Sequence, residues 1–473
     1  MKDEMTKMSI LPVETADFDL ELPVAVIGAG ACGLTAAITA AEAGAEVYVF
    51  EQDASPAGST AMSYGSICAA GTETQAGIGI DDTAEALVED ILTATRGKAP
   101  RTLARQMARE SGPTIDWFTK DLGFTLTVEV NWKGFGHRCP RLHGTPNRSG
   151  PELVAMLLGA AEERGVTVIT QAKVTTLLVK PDGVTIGGFI YESPDGKVTV
   201  GCDALILASS GYAANEALVS QHIPSMKNAF FYGHEGHMGD ALLWGEALGA
   251  RTGDLGGHQA LGALASPENF IVPHTLLVDG GVQVNRAGKR FENELTDISG
   301  QAKRIIKQKD ALCWMVYDQK GHDKADRIFA EYRDAAITSP YKSADTAEGL
   351  ASLLGVDPSG LAKTFAELDA LIASGEPDEF GRVFSEADRL EPPYYAMRVT
   401  GALFHTQGGL CVDSKARVRK LPKGSFANLF AGGGAARSIS GPAEWGYLPG
   451  AGLMSAVTLG RIAGREAAKL VKS

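Results

Sequence analysis

An α/β fold is predicted by three stretches of the sequence. VAVIGAGACGLTAAITAAEAGAEVYVFEQD (24–53) runs from a four-residue apolar strand through a glycine turn into a small-residue helix, a second strand and an acid. CDALILASSGYA (202–213) and NLFAGGGAA (428–436) are apolar strands closing on small residues, a pattern that suits strands covered on both faces. Between them, residues 300–390 change to charged amphipathic helices such as SADTAEGLASLLG and SGLAKTFAELDALIASG, the pattern of surface helices over a small core. A Rossmann-like sheet assembled from both chain ends and interrupted by an insertion joins these observations.

The totals set limits on function. A chain of 473 residues exceeds one compact core, so two or three domains are expected. Its 44% hydrophobic and 21% charged residues are ordinary for a soluble globular protein. A net charge of -13 argues against nucleic acid and anionic membrane surfaces as partners. The cysteines, at 32, 68, 139, 202, 313 and 411, form no C-x-x-C. That excludes a cysteine zinc site and a C-x-x-C-H haem attachment, and it suits a cytoplasmic, reducing location. No run approaches the ~18 apolar residues of a membrane span. Residues 1–20 carry acids and no long apolar core, so a loosely packed arm rather than a signal peptide is expected there. Nothing in the sequence suggests a protein partner.

The first element is expected to bind a dinucleotide. Gly28, Gly30 and Gly33 form G-x-G-x-x-G, and Glu51 closes the second strand. Chance supplies about one such glycine triplet in a chain this rich in glycine, so the triplet alone decides nothing. Its setting between strand, helix, strand and acid makes it specific. Gly28 permits the turn, Gly30 lets backbone approach a pyrophosphate, and Gly33 lets helix pack on strand. The phosphates sit at the helix N-terminus, and Glu51 accepts from ribose hydroxyls. This element alone suits NAD or FAD. Strands returning from residue 202 and again from residue 428 favour the more extended FAD, and no second fingerprint offers NAD(P)H a site.

From about residue 22 to its end the chain resembles the soluble branch of the fumarate reductase/succinate dehydrogenase flavoprotein superfamily. The carriers are the fingerprint, STAMSYGSICAAGT (59–72), LASSGY (207–212), GHMGDALLWGEALGA (236–250), VQVNRAGKRFENE (282–294), FHTQGG (404–409) and the closing GPAEWGYLPGAGLMSAVTLGRIAG (441–464). The resemblance implies a glutathione-reductase-type FAD-binding domain interrupted by an α+β capping domain. After the arm (1–20), the FAD domain would span 21–258 and 405–473, and the cap 259–404.

The resemblance also implies contacts to the cofactor. Ala29 and Gln52 join the three fingerprint glycines and Glu51 around the nucleotide. Ser59, Thr60, Gly65 and Ser66 follow on the next loop, and Val174, Ala208, Gly211 and Asp240 on later ones. Gly433, Gly434, Gly452 and Leu453 complete the set from the C-terminal part. Some relatives attach FAD through a histidine in the segment matching AGSTAMS; that segment here has no histidine, so non-covalent FAD is expected. The family's A-G-E reads Ala431-Gly432-Gly433, without the glutamate. The closing helix would point its N-terminus at the pyrimidine end of the flavin, where negative charge collects on reduction.

The substrate reading starts from what is missing. The family's dicarboxylate clamp is largely absent: HQALGA (258–263) lacks its histidine, Ile298 stands near the place of the proton-delivering arginine, and Tyr447-Leu-Pro-Gly replaces R-L-G-G. Only His405 survives. The Tyr-x-P-G turn resembles that of 3-ketosteroid dehydrogenases, where a tyrosine hydroxyl and a backbone N–H near Gly450 would hold a ketone oxygen. The resemblance therefore implies FAD-dependent desaturation of a cyclic ketone, steroidal or a small cyclohexanone or oxocyclohexanecarboxylate, with hydride leaving to flavin N5. Tyr447 is the expected carbonyl donor, and Tyr232, Tyr64 and His405 compete as base. Arg138, Arg141 and Arg148, in the loop 134–150, suggest instead a site for a remote carboxylate, with Arg141 its expected contact. That loop supports the alternative, a reductase of an unsaturated carboxylate. His234 and His237 in GHEGH lack an evident third ligand, and no metal is expected. The external electron acceptor is not named by any motif.

Overall fold

Val24–Ile27 are almost wholly buried, because the strand they form, β1 (Leu20–Ile27), is central to a mostly parallel sheet. The computed structural model describes residues 9–337 and 341–472. It divides into two compact units. The first holds the described residues up to 224 with 233–258 and 405 onward; the second holds 225–232 and 259–404.

In the first unit the fingerprint folds as its composition dictates. β1 turns through Gly28 into α1 (Ala31–Glu42), whose alanines pack at close range, and the chain returns as β2 (Val47–Phe50). β3 (Gly196–Leu207) lies parallel on the other side of β1, and β4 (Ser425–Ala431) lies parallel beyond it. The register aligns Ala431, Leu207, Ile27 and Phe50 in one row. Four strand ends drawn from distant parts of the chain thus share one carboxyl edge, where open α/β sheets bind ligands. Ile186–Ser193 pairs antiparallel with β3, and Lys173–Val179 pairs antiparallel with Ile186–Ser193 in turn.

The expected N-terminal arm is corrected in part. Residues 1–8 lie outside the described residues, but Ser9–Pro12 pairs in parallel with Thr176–Val179 and forms a sheet edge. Its partner lies far along the chain, so composition could not reveal the strand.

The last helix, α3 (Ala451–Val471), packs along α1. A Cβ on Gly460 would lie 2.4 Å from the Cys32 carbonyl oxygen, and one on Gly464 2.1 Å from that of Ala36. Backbone therefore meets backbone, and neither neighbour is a movable side-chain tip. Gly464→Ala is expected to destabilise the protein by about 1–3 kcal/mol through overpacking. This outweighs the roughly 1 kcal/mol that alanine normally adds in a helix interior. Equilibrium denaturation of the purified variant checks the sign.

The second unit is built on a six-stranded sheet in which Leu312–Asp318 pairs antiparallel with both Val282–Val284 and the long strand Tyr394–Thr406. The charged segment contains the anticipated helices, Ala347–Leu354 and Pro358–Ser374, capped by Thr346 and Asp357. They bury Leu350, Leu361 and Leu368 and turn their polar faces outward.

Candidate active site

The dinucleotide turn meets the steric demands of its three glycines. Gly28 has φ 102°, and a Cβ there would sit 2.6 Å from the Ala208 oxygen; a Cβ on Gly33 would fall 1.8 Å from the Gly28 oxygen. Gly30 differs. Its absent Cβ would approach only Thr60 Oγ1, at 3.5 Å, so the space before α1 is open to a ligand. Gly30 caps α1 with no acid in the first turn, leaving the helix dipole for an anion. Thr60 Oγ1 accepts from Ala31 N at 3.0 Å. Buried Glu51 accepts from Ala29 N at 2.8 Å and from Asp53 N at 3.0 Å, one bond to each oxygen. Each carboxylate oxygen keeps a lone pair for a ribose hydroxyl. These residues fit a dinucleotide: glycines where backbone must come close, an open slot before a helix, and a buried acceptor.

The other expected cofactor residues line the same carboxyl edge or the loops beside it. Ala208 N bonds Ile27 O at 2.8 Å, and Gly434 comes so close to Gly211 that a Cβ would meet its N at 2.8 Å. Gly433 has φ 58°. Val174 is buried two residues beyond Ala172, whose N bonds Glu51 O. A Cβ on Gly236 would meet Gln52 Nε2. Gly65 has φ 62° and packs on the Ser149 carbonyl, and Ser66 leads into the strand Ile67–Cys68. Asp240 opens α2 (Asp240–Ala247) and is buried, which raises its pKa to about 6.

The closing turn answers to the same edge. Gly450 caps α3 in the left-handed conformation (φ 76°), and its oxygen accepts from Cys68 N at 3.2 Å. A side chain there would strike Cys68 N. No acid occupies the first turn, so the N–H groups around Gly452 and Leu453 and the positive end of the dipole stay available. His405 stands against this terminus, its Cε1 3.3 Å from where a Gly452 Cβ would be. Its ring lies edge-on to Tyr447 at 6.4 Å. Burial lowers the His405 pKa to about 4, so the imidazole is neutral near pH 7. His405 Nδ1 lies 3.3 Å from both the Thr406 oxygen and Gln407 Nε2. Gln407 was present in FHTQGG but carried no signal that separated it from a packed glutamine.

The arginine loop corrects an expectation. Arg141 is fully buried, its Nε and Nη2 bound to Asp82 at 2.6 and 2.7 Å and its Nη1 to Asp90 at 2.5 Å. Arg138 is held by Asp90 and Glu89, and Arg148 by the Thr127 carbonyl and Glu129. Burial disfavours the Asp82 and Asp90 carboxylates, but the arginine contacts outweigh it and hold both pKa values below the usual range. These charges brace the loop, and Arg141 offers no accessible edge to a substrate. His137 in this loop donates from Nε2 to the Pro449 oxygen at 3.0 Å, tying it to the closing turn.

The remaining candidates have other surroundings. Tyr232 belongs to the second unit, where its N bonds the Leu403 oxygen and its ring tilts against Phe404. Ile298 opens the helix Ile298–Ile305 and packs against that unit's apolar core. There too, Arg290 and Arg382 converge on Glu294, and Arg304 meets Glu292. His234 Nε2 pairs with Asp53 at 2.8 Å, while His237 Nε2 faces the hydroxyls of Ser59 and Ser210; the two rings serve different partners. No described helix is long and apolar enough to cross a membrane.

Comparison with known proteins places this geometry. A family model described as "FAD binding domain" matches residues 23–453. The chain is 30% identical over 448 residues to a probable fumarate reductase of Shewanella frigidimarina, covering 94% of this chain and 74% of that protein. It is 26% identical over 539 residues to 4-oxocyclohexanecarboxylate 2-dehydrogenase of Sinomonas cyclohexanicum, covering 94% and 92%. The solved open conformation of a flavocytochrome c3 fumarate reductase matches 98% of this chain and 80% of its own, with TM-score 0.84 and 28% identity. With its glycine turn, buried acid and shared strand edge, the chain belongs to the FAD binding domain family and is an FAD-dependent oxidoreductase of the fumarate reductase group.

Proposed function

We propose that this protein desaturates a ketone next to its carbonyl, with Tyr447 holding the ketone oxygen and His405 taking the α-proton. The observation that carries the reading is the pairing of Tyr447 and His405 at 6.4 Å over the uncapped N-terminus of α3. A phenol hydroxyl and backbone N–H groups are neutral donors, suited to a carbonyl oxygen that gains charge as an enolate develops. Bound FAD supplies the acceptor for the β-hydrogen, which leaves as hydride. A neutral His405 keeps one ring nitrogen as a lone pair, and that nitrogen receives the proton.

The names of several relatives favour the second reading, reduction of an unsaturated acid. Against it, Arg138, Arg141 and Arg148 are all engaged by acids or carbonyls of their own unit. A dicarboxylate buried without cationic partners is disfavoured by several kcal/mol. The dehydrogenase relative's oxocyclohexane substrate supports a ring ketone, and the engaged arginines favour a neutral one. The cysteines, all free, suit a cytoplasmic setting, and electrons leave to an external acceptor.

The test is a steady-state panel with a dye acceptor: 3-ketosteroids, cyclohexanone, 4-oxocyclohexanecarboxylate and succinate. Turnover of neutral ketones with none of succinate is expected. Turnover confined to the carboxylates would sink the reading.

A further inference from the structure

Around the carboxyl edge the backbone repeatedly enters the left-handed region, and it uses glycine to do so at Gly28, Gly65, Gly239, Gly433 and Gly450. Ser210, with φ 64°, enters the same region while carrying a side chain. Serine is strained there and glycine would not be. Its neighbours are glycines for a visible reason: a Cβ on Gly211 would lie 2.0 Å from Thr406 Oγ1, and one on Gly434 would crowd Ser210 itself. At position 210 a side chain is kept despite the strain, and its bond is to His237 Nε2 at 2.8 Å.

The same nitrogen meets Ser59 Oγ, from a loop distant in sequence. Ser59 precedes Thr60, whose hydroxyl receives Ala31 N at the mouth of α1. Ser210 follows Ala208 and Ser209, whose backbone lies against the Gly28 turn. The 234–239 segment carrying His237 is anchored on both sides. His234 pairs with Asp53, and Gly239 N bonds the Gly211 oxygen at 3.0 Å. A neutral imidazole Nε2 has either one lone pair or one hydrogen. Two hydroxyls sharing it cannot both be fully satisfied, so one of them is free to turn to a further acceptor.

We propose that Ser59, His237 and Ser210 form a clasp that retains FAD, in which His237 ties the loop after β2 to the loop after β3 and a serine hydroxyl turns from the imidazole onto the bound cofactor. His237 is a positioning residue in this account, and the serine that turns becomes a cofactor contact. Burial, with His405 and His234 nearby, lowers the His237 pKa to about 3, so the ring stays neutral and the clasp holds across the physiological range. The proposal rests on FAD binding and is independent of the ketone reading.

The experiment measures FAD release from the diluted holoprotein by the rise in free flavin fluorescence, alongside thermal melting of the FAD-stripped protein. Ser210→Gly is the decisive variant because it removes strain and the hydroxyl together. Release about ten times faster is expected, with an apo melting temperature unchanged or higher. His237→Leu is expected to release FAD faster still, and His237→Gln to recover part of the loss. Unchanged release in Ser210→Gly would overturn the proposal. So would faster release accompanied by a matching fall in apo melting temperature, since that would mark a purely structural serine. Ketone turnover enters neither readout, so failure here and failure of the dehydrogenase reading are distinguishable.

Discussion

Tyr447→Phe is expected to lower kcat for ketone oxidation by 10²–10³-fold, the usual cost of removing one donor to a developing oxyanion, while FAD content and fold stay intact. The substitution removes one oxygen from a half-buried ring and leaves the Gly450 cap and the α3 terminus in place. A ground-state contact would raise KM with kcat unchanged; a donor that strengthens as the enolate forms lowers kcat and kcat/KM together. Steady-state kinetics on the best ketone from the panel, with flavin content measured in parallel, separates these cases. A kcat within a few-fold of the unmodified protein would remove Tyr447 from the oxyanion role.

Acid sensitivity is the second large effect expected. Burial lowers the pKa values of His137, His143, His237, His274 and His405 to about 4, 4, 3, 4 and 4. An unfolded chain takes up these protons near pH 6.5, whereas the folded one refuses them until about pH 4. Stability therefore falls as pH drops through that window, by about 1.4 kcal/mol per pH unit for each imidazole. Asp240 and Glu292 act in the opposite sense. Burial raises their pKa values to about 6 and 7, so the folded state binds their protons first and gains stability as pH falls toward their unfolded values. Five groups against two leave a net loss of roughly 4 kcal/mol per pH unit between about pH 6 and 4.5. Against a typical total of about 5–15 kcal/mol, this threatens the fold within two pH units. Urea denaturation of the FAD-stripped protein at pH 7, 6 and 5 checks it. A midpoint that does not move would contradict the assignment of these histidines as neutral.

What was legible in the sequence was local or sterically forced. Gly28 and Gly33 announce themselves because a Cβ would strike backbone, and the helices at 347–354 and 358–374 carry their caps and apolar spacing within one short stretch. What was hidden depended on distant partners. Arg141 read as a contact for a remote carboxylate because its partners, Asp82 and Asp90, lie more than fifty residues away. Ser9–Pro12 read as an arm because its strand partner begins at Thr176. Ser210 gave no sign of its left-handed backbone, since only glycine advertises that conformation in a sequence. His237 was weighed as a metal ligand because sequence shows its neighbour His234 but not Ser59.

The most direct test of the central claim is anaerobic mixing of the yellow holoprotein with one equivalent of a neutral cyclic ketone. Flavin absorbance and product mass are followed together. The account predicts loss of the oxidised flavin spectrum one-for-one with a product two hydrogens lighter, an α,β-unsaturated ketone. A spectrum unmoved by every ketone, with dithionite-reduced protein re-oxidised by an unsaturated carboxylate, would contradict it and assign the site to acid reduction.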